Sequence, residues 1–199
     1  MTASSEVILP FPARIEPVRG IRSTVIVGSF AVLREYGLFD TYVAALPPEA
    51  REILVHIVVG AWIPLDLALT HYAACDSMGL PVDTIAQMGH GVFDKIRGTL
   101  LGTTVRMAKE AGVTPWTVLP HLQRFWDRAY QGGALSVTRL GPKEARGDVV
   151  QARLCDSIYF RHALRGLLGG VLELFCRKAY VSMLPVQDSA TVSYKFQWV

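Results

Sequence analysis

The chain has 199 residues, 51% of them hydrophobic and 19% charged, with a formal net charge of +3. That balance excludes intrinsic disorder, because apolar surface is plentiful and charge repulsion weak, and it excludes collagen-like, coiled-coil and disulfide-scaffold chains. The 20 basic residues are scattered among 17 acidic ones rather than gathered in a stripe, which argues against a nucleic-acid partner.

Cys75, Cys155 and Cys176 form no CxxC pair and are odd in number, a pattern of reduced thiols in a cytoplasm rather than of a disulfide framework. Met1 to Glu6 lacks the basic start and apolar core of a signal peptide. The longest uncharged run, Ile53–Leu65, holds Pro64 and is too short to span a bilayer. The expectation is a cytoplasmic protein with one domain over residues 18–199, preceded by an extended arm over residues 1–17. Its surplus apolar content implies a large core, a subunit interface or a lined cavity.

In chain order, residues 1–17 carry Pro10, Pro12 and Pro17 without periodicity and read as the surface arm. The β-branched run Ile21–Val27 predicts a first strand, ended by Gly28. From there to about residue 131 the signals are helical. Gly37, Gly79 and Gly112 fall at C-cap positions, and Pro48, Pro64, Pro81 and Pro115 at first-turn positions, dividing the segment into about five helices. The clearest covers Asp83–Ala111, where Ile85, Met88, Val92, Ile96 and Leu100 step by three and four along one face. Thr114–Pro115–Trp116 opens the next with an N-cap hydroxyl. Its apolar face is Leu119, Leu122, Phe125 or Trp126, and Ala129, and Gly132–Gly133 stops it.

The period then changes. Ala134–Leu140 and Ala145–Leu154 predict a hairpin about Gly141–Pro142–Lys143. Ser157–Lys178 predicts a long helix with Phe160, Leu164, Leu167, Val171 and Leu174 on one face, and two strands, about Ala179–Pro185 and Ala190–Trp198, close the chain. The order strand, helices, hairpin, long helix, hairpin predicts an α+β fold, a helical bundle packed on an antiparallel sheet.

Few constellations carry chemistry. His71 and Cys75, four apart on a helix, share a face, and an imidazole there could activate a thiol, with Asp76 and His90 as neighbours; the competing reading is an inert cysteine in a core. His162 and Cys176 share a face but stand roughly 21 Å apart along a continuous helix. The five histidines, His56, His71, His90, His121 and His162, show no HxH, HExxH or Cys-pair spacing, so no metal site is expected. Gly89–His90–Gly91 begins like a dinucleotide fingerprint, but Asp94 stands where the third glycine belongs. Gly98 with Gly102, and Gly166 with Gly170, are helix glycines four apart, read as close packing on the sheet or on a second subunit rather than as a ligand groove. The mixed-sign run Arg139–Arg146 reads as a solvated hairpin tip whose basic residues could hold an anion.

Several segments carry a resemblance: Gly60–Pro64, His71–Cys75, Gly112–Trp116, Trp126–Arg128 with Gly132–Gly133, Gly141–Ala145 and Tyr159–Arg161. On these the chain resembles a paralogous family of myxobacteria and related delta-proteobacteria, of about this length, a resemblance that brings no activity with it. Element order, together with Gly166, Gly169 and Gly170 ahead of a hairpin ending Tyr194–Trp198, is also similar to the superfamily of vinyl-reductase-type domains, haem nitric-oxide-binding domains and TRAPP vesicle-tethering subunits. That resemblance implies a helix–sheet cavity for a hydrophobic or small ligand and a tendency to dimerise. The departures are specific. Val181–Val199 lacks the cysteines of the vinyl-reductase-type hairpin, and Tyr180–Val181–Ser182–Met183–Leu184 has leucine where the haem branch's Tyr-x-Ser-x-Arg has arginine. Haem is therefore disfavoured, with His71 the axial ligand if it is present.

The leading expectation is a non-enzymatic sensory or interaction domain of bacterial signalling that binds a hydrophobic small molecule between helices and sheet, as a homodimer. Trp62, His71, Cys75, Phe93, Trp126 and Tyr130 are its expected lining. The alternatives are a thiol-dependent enzyme using Cys75 with His71, and a purely structural dimerisation module.

Overall fold

Of this chain the computed structural model describes residues 6–101, 113–185 and 188–199, and at 98–101 the backbone alone. The elements run β1 (Glu6–Leu9), β2 (Gly20–Arg22), α1 (Ser23–Glu35), α2 (Phe39–Ala45), α3 (Pro48–Val55), β3 (Trp62–Pro64), α4 (Leu65–Ser77) and α5 (Val82–Leu101). Then come α6 (Pro115–Val118), a 3-10 turn (Leu119–His121), α7 (Leu122–Ala129), β4 (Tyr130–Gln131), β5 (Ala134–Gly141), β6 (Glu144–Val150), α8 (Ile158–Glu173), β7 (Ala179–Met183) and β8 (Val192–Trp198). The architecture is α+β, as the order of sequence signals predicts.

The main sheet has the antiparallel order β1-β5-β6-β8-β7, with Ala134 opposite Val150 and Ala145 opposite Phe196. On β6, Ala145, Gly147 and Val149 alternate inward. A Cβ at Gly147 would meet the Phe196 ring at 2.6 Å, so the flat ring fits only over a glycine. The sequence did not foreshadow β3 and β4, which pair with β2 in a small separate sheet, Ile21 standing between Ile63 and Tyr130. The arm contributes β1, where Glu6 meets Arg139 of β5 at 3.2 Å.

The expected strand Ile21–Val27 is corrected: it ends at Arg22, and Ser23 onward is helix. Val25, Ile26, Phe30 and Leu33 are buried at helical spacing, so burial of one stripe overrides the β preference of Thr24–Val27. Gly28 ends nothing; it lies inside α1, where a Cβ would meet Ile96 of α5 at 2.9 Å. The helix expected after Thr114 is broken at Pro120 into α6, the 3-10 turn and α7, and the Thr114 hydroxyl makes no capping hydrogen bond. Its apolar face holds nonetheless, with Leu119, Leu122, Trp126 and Ala129 buried. Gly37 and Gly79 cap α1 and α4 with positive φ, whereas Gly112, and the helix expected over 102–111 with Gly102, lie outside the described residues. Leu100 and Gly98 belong to α5, in the stretch where only backbone is described.

The α5–α8 seam places the site. A Cβ at Gly89 would strike the Ala163 carbonyl, one at Gly166 the Ala86 carbonyl, and one at Gly170 the Phe93 ring at 2.5 Å. Gly89 and Gly166 therefore bring two helix backbones together, which corrects the expectation that Gly166 and Gly170 pack on the sheet or a second subunit; Gly169 faces the sheet, near Val181. Arg165 joins Asp83 at 2.8 Å across one end of the seam, and His90 joins Glu173 at 3.0 Å across another.

Candidate functional site

Two buried aromatic clusters flank this seam, and the residues singled out in the sequence divide between them. In the first, His71 of α4 lies among Phe30, Tyr42 and Tyr72, its ring centroid 5.7, 5.2 and 4.8 Å from theirs. The Tyr42 hydroxyl is 2.8 Å from His71 Nδ1, close enough to donate to it, and Nε2 lies 3.9 Å from Cys75 Sγ. Burial pushes the His71 pKa down to about 3 and, with the Asp76 charge, raises that of Cys75 well above the ordinary thiol value. A neutral imidazole beside a protonated, solvent-excluded thiol is neither a base nor a nucleophile. Asp76 is occupied elsewhere, accepting from the Tyr159 backbone N–H at 2.6 Å and tying α4 to the start of α8. His90 is engaged with Glu173.

The second cluster encloses space. Val25 of α1, Phe93 and Ile96 of α5, Leu122, Phe125 and Trp126 of α7, Tyr130 of β4, Leu135 of β5, and Leu164, Leu168 and Val171 of α8 surround a cavity of about 50 Å³. Trp126 and Tyr130 form one wall, stacked at 4.0 Å with 26° between their planes. The indole is pinned by Nε1 donating to the Gly132 carbonyl at 2.8 Å, and a Cβ at Gly133 would press on it at 3.1 Å. Beyond Val25, Tyr130, Leu164 and Leu167, which border both spaces, lies a second lobe of about 30 Å³ reached by Ser29, Tyr72 and Tyr159.

Phe93, Trp126 and Tyr130 thus meet at one cavity, whereas Trp62, His71 and Cys75 do not line it. Trp62 sits on β3 under the Arg22 guanidinium, 3.8 Å from its ring; His71 and Cys75 are filled in by the first cluster. Helix α1 separates these expectations from the outcome: its first turn reads as a strand in the sequence, so Val25 is not placed on the helix from which Phe30 faces His71 and Ser29 faces the second lobe. Ser29, Tyr72 and Tyr159 escaped the sequence reading because which faces of α1, α4 and α8 meet is set by long-range packing. A hydroxyl on the buried stripe of a correctly placed α1 is the signal that finds Ser29.

No histidine lines either lobe: His56 and His121 are exposed, and His162 is buried on α8 outside the lining. Among the described residues no group of three or more His, Cys, Asp or Glu is placed to hold a metal ion, and no helix is long and apolar enough to cross a membrane. At the hairpin tip, Arg139 and Arg146 are paired with Glu6 and Asp148.

No protein-family model matches the sequence, and no curated protein does. Solved structures match well. A mutant H-NOX protein from K. algicida, in its iron(II) unliganded form, superposes with a TM-score of 0.63 over 90% of this chain and 97% of its own, at 11% identity. The fold is that of the H-NOX domains. An H-NOX protein studied for haem distortion gives 0.61 over 89% and 95% at 12% identity, and the oxygen complex of an oxygen-binding H-NOX domain related to soluble guanylate cyclases gives 0.59 over 89% and 95% at 11%. Of the three branches of the superfamily that the sequence resembles, these H-NOX structures represent the haem-binding one. The resemblance to the myxobacterial family rests on the sequence motifs alone. Tyr180–Leu184, compared above with the haem branch's motif, lies along edge strand β7 and its turn, away from the cavity.

Proposed function

We propose that this chain is a non-enzymatic ligand-binding sensory domain on the H-NOX fold, and that its ligand is a small apolar molecule held between α1, α5, α7 and α8 rather than haem. The carrying observation is the cavity walled by the Trp126–Tyr130 stack. Apolar cavities of this kind stay dry and take up apolar guests.

The H-NOX structures include haem proteins with distorted porphyrin, so haem is tested first against the residues present. They do not fit it. Lobes of about 50 and 30 Å³ fall far below the 300–1,000 Å³ of ordinary small-molecule sites. Among the described residues neither lobe presents a histidine for iron or an arginine or lysine for propionates. His71, the axial ligand that the resemblance allowed, is closed off by Tyr42, Phe30 and Tyr72.

The thiol-enzyme alternative loses its support in the buried, protonated Cys75. The interaction reading keeps one observation: β1 and β7 are open edges of the main sheet, and β7 exposes Tyr180, so a second copy would add there.

Two measurements on the purified protein decide the reading. Native mass spectrometry followed by denaturing extraction tests for a retained apolar molecule released on unfolding, and a haemin titration is expected to give no shifted Soret band. A sharp Soret band at one equivalent would replace the reading with haem sensing.

A further inference from the structure

Within the ligand-binding reading proposed above, the two lobes differ in chemistry, and the difference specifies the guest. The first lobe is bounded by hydrocarbon and aromatic faces. The second adds a buried hydroxyl that is weakly engaged: Ser29 is 5% exposed, lines the lobe, and its Oγ makes no hydrogen bond of ordinary geometry, its one polar neighbour among the described residues being the Tyr159 phenol. It sits beside the Tyr159 phenol, and Tyr72 and Tyr130 bring two more phenol-bearing rings to the same space. An unpaired buried hydroxyl is unfavourable, and natural structures leave few of them. Here the Ser29 hydroxyl borders a cavity of about 30 Å³, room for a polar atom of a guest or for a water.

Charge narrows the class further. Among the described residues no Lys, Arg, Asp, Glu or His borders either lobe, so a carboxylate, phosphate or ammonium would find no compensating charge among them. The two spaces adjoin, with Val25, Tyr130, Leu164 and Leu167 in the walls of both. We infer that the cavity takes a small neutral molecule with one hydrogen-bonding oxygen, its apolar body in the first lobe and its oxygen received by Ser29 in the second. Short-chain alcohols, aldehydes and ketones have this form; fatty acids and phosphorylated metabolites do not.

The test is a methyl NMR titration of the intact protein with 1-butanol, butanal, butyrate and n-pentane, read at Val25, Leu164 and Leu167. Saturable shifts are expected with 1-butanol and butanal, a weaker response with n-pentane, and none with butyrate. Ser29→Ala is expected to weaken 1-butanol about five- to tenfold, the worth of one hydrogen bond, and to leave n-pentane unchanged. Tyr159→Phe, which keeps the ring and removes its hydroxyl, serves as the second variant and should weaken 1-butanol by less than Ser29→Ala. If 1-butanol and n-pentane bind alike and Ser29→Ala changes neither, the polar role of the second lobe is overturned while the apolar cavity stands. If butyrate binds best, the neutral class is wrong. If none of the four shifts these methyls, the ligand-binding reading falls with it.

Discussion

The two aromatic clusters differ in what burial does to them. Around His71, rings from α1, α2 and α4 pack edge to face, and the polar atoms find each other: Tyr42 Oη meets His71 Nδ1, and Nε2 faces Cys75 Sγ. Around Trp126, rings of similar size stack instead and leave volume between α1, α5 and α8, and in the adjoining space Ser29 Oγ makes no hydrogen bond of ordinary geometry. The sequence motif with the more familiar chemistry, His71 and Cys75, is therefore the structural one. The cluster with no motif is the one that has room for a guest. Space and unsatisfied polarity mark a site better than residue type does.

Both clusters hang on the α5–α8 seam, so breaking the seam should have the largest effect. Gly166→Ala would put a methyl on the Ala86 backbone carbonyl and is expected to destabilise by roughly 3 kcal/mol or more. Gly169→Ala, three residues along the same helix, meets only Val181 at 3.9 Å and should stabilise by up to about 1 kcal/mol through helix propensity. Urea unfolding of the pair reads the contrast directly; equal effects would contradict the seam.

The filled cluster has a pH signature that the cavity lacks. Burial lowers the His71 pKa from 6.5 to about 3, so the unfolded chain binds a proton that the folded one refuses. Stability owed to this group is complete above pH 6.5 and falls as pH drops from there towards 3, by about 1.4 kcal/mol per pH unit at most. Between pH 7 and 5 the loss is about 2 kcal/mol, and His71→Gln is expected to flatten that slope. Tyr42→Phe removes the hydroxyl facing Nδ1 and should cost about 1–3 kcal/mol at pH 7. Unfolding curves at the two pH values check both variants.

Substitutions at the cavity should be mild in stability and decisive in binding. Ser29→Ala deletes a hydroxyl that makes no hydrogen bond of ordinary geometry and is expected to change stability by no more than about 1 kcal/mol. Val25→Leu adds a methylene at the junction of the lobes and should also stay within about 1 kcal/mol while excluding the guest.

Most of the architecture was legible because local signals agreed with it. Ile85, Met88, Val92 and Ile96 step along α5 at helical spacing, Gly37 and Gly79 sit at C-caps, and Gly141–Pro142–Lys143 turns the β5–β6 hairpin. The misreading of α1 came from the one place where local preference and tertiary burial disagree, Thr24–Val27. That error also concealed Val25, which enters the cavity only from a helix. Strands β3 and β4 were illegible for another reason: at three and two residues, they are held by pairing with β2 rather than by any pattern of their own. The split of Trp126 and Tyr130 from His71 and Cys75 depends on how α5 crosses α8, which is set by contacts between Gly89 and Ala163 and between Gly166 and Ala86 that lie far apart in sequence.

The most direct measurement is methyl NMR of the protein under xenon pressure, with Val25→Leu as the comparison. The account predicts saturable shifts confined to the methyls of Val25, Leu164, Leu168 and Val171, reduced or abolished in Val25→Leu, and silence around His71. Shifts centred on the His71 cluster, or none at the cavity methyls, would contradict it.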